Sequence, residues 1–156
     1  MSESSTPLWK QLLAVLLFSI FALLSAWYFL DVFFSLVTEI YSESASVVFD
    51  KGAFYFLGIA ITASALSFIF AVETLYRKMP SEALTKKIRN IIILGLAIML
   101  LFPHIFNAGL NEYLASKNYI ECQGLSYKWL HSQTFVYTKG DDLCSSLVRK
   151  KEQDRE

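Results

Sequence analysis

The chain has 156 residues, 54% hydrophobic and 18% charged, with a formal net charge of zero. A soluble domain carries about 25% charged residues, and a nucleic-acid binder carries a basic field; neither pattern is present. The length allows one domain with a small appendage, and the apolar residues gather into three long runs.

A short polar lead, MSESSTPL, precedes the first run, Gln11 to Leu30, which holds no charge. It is too long for the usual apolar core of a cleaved signal peptide, and SAW near its end is a poor cleavage site, so a retained anchor is expected. In DVFFSLVTEIY the polar Asp31, Ser35 and Glu39 recur every four residues, with Phe33, Val37 and Ile40 on another face. That spacing predicts an amphipathic continuation of the helix. SESAS then reads as a turn or loop.

The second run, Gly52 to Val72, is also uncharged. Gly58 and Thr62, and Ala60 and Ser64, are small residues four apart, which let helices approach closely in lipid. The face suits internal packing or contact with another membrane protein. Glu73 and Arg77 stand in the favourable order for a helical ion pair, and MPSEAL reads as a helix start, with Pro80 in the first turn and Ser81 and Glu82 near the positive dipole end. The third run covers about 90–110 and contains Pro103, His104 and Asn107 late in its course. Proline there removes a backbone bond and bends the helix. The polar trio marks either a site or the emergence of the helix into headgroups.

About 20 apolar residues let a helix cross roughly 30 Å of hydrocarbon. Three such runs, without the alternation of a strand, predict three membrane helices. Arg77, Lys78, Lys86, Lys87 and Arg89 fill the second loop, whereas the first holds Asp31, Glu39, Glu43 and Asp50 against Lys51. The positive-inside bias places the second loop and the N-terminus in the cytoplasm and the C-terminal segment outside. Trp9 and Tyr76 then fall at the inner interface, and Trp27, Tyr28, Phe54 and Tyr55 at the outer one.

In the last segment, GLNEYLASKN finishes the third helix. YIEC and TFVYT have the β-branched and aromatic content of short strands, and KGDD signals a turn. A two-stranded or irregular cap is expected. Cys122 and Cys144 are too far apart for a CxxC redox pair, and only His104 and His131 could join them at a metal. One structural disulfide is expected, which on the outer side of a membrane would persist. No phosphate loop, HExxH or nucleophile elbow occurs, so neither an enzyme nor a cofactor is expected.

The expected fold is an all-α membrane protein: a three-helix transmembrane bundle over 1–111 (spans about 11–30, 52–72 and 90–110) and a disulfide-stapled extracytoplasmic cap with short strands over 112–156. Three spans, a basic hairpin and the outer YIEC…TFVYTKGDDLC segment resemble an uncharacterised family of small bacterial inner-membrane proteins. The layout is similar to membrane immunity proteins that protect a producer from pore-forming bacteriocins or secreted effectors. The resemblance implies neutralisation of a toxin at the inner membrane by direct binding. Trp129, His131 and Tyr137 are candidate partner contacts, since exposed aromatics anchor interfaces; they suit packing of the cap onto the membrane equally well. The alternative is a structural or regulatory subunit of a bacterial envelope complex. Expected partners are membrane lipid and a toxin or effector protein, not nucleic acid.

Overall fold

The computed structural model describes residues 7–76, 81–129 and 132–153. Its elements run α1 (Leu8–Tyr41), β1 (Ser46–Asp50), α2 (Lys51–Tyr76), α3 (Glu82–Ser116), β2 (Ile120–Glu121), β3 (Tyr127–Trp129), β4 (Ser132–Thr138) and α4 (Asp141–Gln153). Three helices, α1, α2 and α3, are long and apolar enough to cross a membrane. Large side chains such as Leu16, Leu23, Trp27, Leu100 and Ile105 stand exposed along them, as lipid-facing surfaces require. The chain is compatible with a multi-pass membrane protein. The residues of the expected Glu73–Arg77 pair beyond Tyr76, together with Lys78 and Pro80, lie outside the described residues.

Contacts divide the chain into two units, 1–28 with 56–100, and 29–55 with 101–156. In the first unit, the small residues of α2 form an internal seam. A Cβ on Gly58 would lie 2.5 Å from the Gly95 carbonyl oxygen and 2.6 Å from the Met99 backbone nitrogen, both on α3. A Cβ on Gly95 would lie 2.5 Å from Thr62 Oγ1. Only glycine permits these approaches. Ser67 of α2 meets Ser19 of α1 hydroxyl to hydroxyl at 2.7 Å, which satisfies two polar groups without water. Ser81 caps α3, its hydroxyl accepting the Leu84 N–H at 3.3 Å. Pro103 lies inside α3, and the helix continues past it to Ser116.

The second unit differs most from the sequence expectation. The cap is a four-stranded antiparallel sheet in which β4 is central, with β1 on one side and β2 and β3 on the other. Residues 46–50, between the first two helices, are a strand. Val47 and Phe49 supply its inward face and are fully buried, so SVVFD carries the period of two that half-buried strands show. Its outer edge is not left bare: Glu39 Oε2, one turn from the end of α1, accepts the Val48 N–H at 2.8 Å. Beneath the sheet, Phe54 is the hub of an aromatic core. The rings of Phe29, Phe49, Phe102 and Phe106 lie 4.5 to 5.8 Å from it, and Phe135 stacks on Phe49 at 6.2 Å. Such offset and edge contacts add roughly 0.5–1.5 kcal/mol per pair to area burial.

The polar tail is a helix. Gly140, with φ of 98°, makes the turn. Asp141 and Asp142 then start α4, and Lys150 and Lys151 end it, matching the helix dipole at both ends. Cys122 and Cys144 form the expected disulfide, with Cα atoms 5.6 Å apart. It fixes α4 to the segment after β2, where Val148 closes over Gly124. No side chain of α4 is fully buried, and Leu143, Cys144, Leu147 and Val148 are half-buried along one face, so the covalent link and this face hold the helix together. Replacing both cysteines with serine is expected to lower stability by about 3 kcal/mol for a loop of this size. Thermal unfolding of the full chain in detergent, followed by circular dichroism, checks this; an unchanged midpoint would show that the sheet holds α4 without the bridge.

Candidate binding surface

The register of the sheet separates two faces. Val47 lies opposite Tyr137, and Phe49 opposite Phe135; all four are buried, with Tyr137 only 2% exposed. The other face carries Val48 opposite Val136, Ile120 opposite Thr138, and Tyr127 opposite Thr134. Directly opposed residues project to the same side, so Val48, Ile120, Tyr127 and Val136 share one surface. Val48 is 42% exposed, Ile120 39% and Tyr127 60%. Val48, Ile120 and Tyr127 thus present exposed apolar side chains on this face, whereas Val136 is half-buried and Thr138 is fully buried. Exposed apolar side chains grouped on one sheet face make it a candidate interaction surface.

Of the three sequence candidates, the structure places Tyr137 away from this face. Tyr137 is on the buried face, so its ring packs the sheet and offers no contact to a partner; the alternation along β4 that buries Phe135 buries Tyr137 as well. Trp129 ends β3, opposite Ser132 in the register. His131 lies outside the described residues. Sequence reasoning passed over Val48, Ile120 and Tyr127. SVVFD and TFVYT each hold three apolar residues in a row, so neither shows which phase points outward; that depends on pairing across most of the chain.

The polar trio of α3 is resolved in part. His104 Nδ1 lies 3.2 Å from Lys51 Nζ, and Lys51 is only 7% exposed. A lysine ammonium can only donate, so in this contact Nδ1 is placed to accept. Lys51 opens α2, and the adjacent Asp50 caps that helix, its Oδ1 accepting the Gly52 N–H at 2.8 Å. His104 is therefore tied to the start of α2 as a packing partner. No group of three or more His, Cys, Asp or Glu side chains suited to a metal occurs among the described residues.

The chain belongs to a family described as protein of unknown function, DUF1240, whose model matches residues 47–145. The match begins in β1 and ends just beyond Cys144, so it takes in all four strands and the disulfide. No curated protein and no solved structure matches the chain.

Burial within the sheet, reinforced by the carboxylate of Glu121, pushes the Tyr137 phenol from 10.0 up to about 12. The folded state thus holds this proton more tightly than the unfolded chain. The stabilisation is complete below pH 10 and is lost as pH rises towards 12. An ultraviolet phenolate titration is expected to show one late-titrating tyrosine that is missing from Tyr137→Phe. A wild-type profile without that late step would mean that Tyr137 is open to solvent.

Proposed function

We propose that the protein is a membrane immunity protein of the bacterial inner membrane, neutralising a pore-forming or membrane-targeting toxin by direct binding. In this reading the basic α2–α3 loop is cytoplasmic and the sheet is periplasmic. The observation that carries it is the set of exposed apolar side chains Val48, Ile120 and Tyr127 on one face of the sheet, borne by a chain with three helices suited to a membrane. A toxin approaching from the periplasm carries apolar or amphipathic segments destined for lipid. A sheet face fixed at the membrane surface intercepts such a segment before it inserts, and the role needs binding energy alone.

The proposal expects the adjacent gene to encode the toxin; the test coexpresses that gene's product, directed to the periplasm, with the wild-type protein or with Val48→Glu or Tyr127→Glu. Wild type should restore viability. A charge placed in an apolar contact should cost at least the 1.4 kcal/mol that is tenfold in affinity, with protection falling at unchanged membrane levels of the protein. Killing that wild type does not relieve sinks the proposal. A stable endogenous complex recovered in mild detergent without any toxin would instead favour a structural or regulatory subunit of an envelope assembly.

Orientation has a separate test. Reporter fusions after Lys87 and after Asp142 are expected to report cytoplasmic and periplasmic locations. The reverse pattern would put the sheet face on the wrong side to meet an incoming toxin.

A further inference from the structure

The ends of α1 and α3, together with the residue after β4, enclose a recess of about 420 Å³, within the range of small-molecule sites. Its floor is apolar, formed by Ile40 and the fully buried Leu114. Its rim is cationic and phenolic. Lys117 and Lys139 line it against one carboxylate, Glu43, with the rings of Tyr41 and Tyr113 at the mouth. Lys139 is held in place, its Nζ donating to the Glu43 carbonyl at 2.9 Å, pairing with the Glu43 carboxylate at 3.5 Å and lying 5.3 Å over the Tyr119 ring. Among the described residues, Lys117 has no carboxylate partner. The recess therefore keeps one uncompensated positive charge beside an apolar floor.

Two exposed apolar stripes lead into it. On α1, Phe34, Val37 and Tyr41 lie on one face and stand exposed. On α3, Ile105, Gly109 and Tyr113 recur every four residues. Ile105 and Tyr113 are exposed, and a Cβ on Gly109 would meet open space. Both stripes continue helices apolar enough to cross a membrane. A positively charged pocket at the polar end of an apolar track is the complement of an anionic amphiphile.

We propose that this recess binds the phosphate headgroup of an anionic phospholipid, whose acyl chains follow the stripes of α1 and α3. Lys117 supplies the free charge, Lys139 a second ammonium, and the phenols of Tyr41 and Tyr113 neutral donors. A lysine suits a phosphate as a compact point charge. The proposal does not depend on the toxin-binding role, which uses the opposite-phase surface of the sheet.

The test purifies the full chain in mild detergent and counts retained lipid by native mass spectrometry while phosphatidylglycerol or phosphatidylcholine is titrated in. One phosphatidylglycerol should bind in preference to phosphatidylcholine. Lys117→Gln should weaken that binding about tenfold, as loss of a hydrogen bond to a charged group does. Lys86→Gln, a basic change near the start of α3, should leave it unaltered. Equal retention of the two lipids, or an unchanged affinity in Lys117→Gln, would overturn the proposal. Inorganic phosphate added at the lipid's concentration should not displace the lipid; displacement would identify a free phosphate as the ligand and overturn the lipid assignment.

Discussion

Pairing of β1 with β4 is the constraint on which the rest of the second unit depends. Five residues between α1 and α2 match five residues near the end of the chain, from Ser46 opposite Thr138 to Asp50 opposite Thr134. This ladder fixes which side chains of both strands face inward, because a slip of one residue would reverse every one of them. With the register set, Phe49 meets the Phe54, Phe106 and Phe135 rings, and Asp50 is in position to cap α2. The same register leaves Val48 and Val136 on the open side. The candidate binding surface is thus the other half of the alternation that builds the core.

The edge of β1 shows how helix and strand cooperate. Asp31, Ser35 and Glu39 read as a polar helical face in the sequence, and Glu39 proves to be more than a solvated residue. Its carboxylate satisfies an outward-pointing N–H of an edge strand, a charge-assisted bond worth roughly 1.5–3 kcal/mol. An edge so engaged is a poor template for pairing with another chain.

The sequence showed clearly those features whose physics is local. Three uncharged runs predicted α1, α2 and α3, and the small-residue spacing around Gly58 anticipated a close helix seam. Long cysteine separation with few other ligands pointed to a disulfide between Cys122 and Cys144. What stayed hidden depends on partners remote in the chain. SVVFD is too short to stand out as a strand until β4 is known to pair with it. The α4 helix was masked by its polar composition: its one apolar stripe, Leu143, Cys144, Leu147 and Val148, spans barely two turns and is only half-buried, too short to stand out from the charged residues around it. Tyr137 looked like an exposed anchor because aromatic content says nothing about phase.

The recess gains its rigidity from two matching helix ends. At the end of α1, Ser44 N–H bonds to the Glu39 carbonyl and Glu43 N–H to that of Ile40. At the end of α3, Tyr119 N–H bonds to the Leu114 carbonyl and Asn118 N–H to that of Ala115. Both are Schellman closures, with Glu43 at φ of 50° and Asn118 at φ of 62° in the left-handed position. The residues that follow are joined directly, the Tyr119 phenol donating to the Ser44 carbonyl at 2.6 Å. Asparagine is at ease in that conformation, but glutamate incurs about 1–2 kcal/mol there. Glycine would remove the strain and with it the carboxylate that pairs with Lys139. The left-handed backbone at Glu43 therefore has a counterpart in its side chain, which pairs with Lys139 beside the cavity.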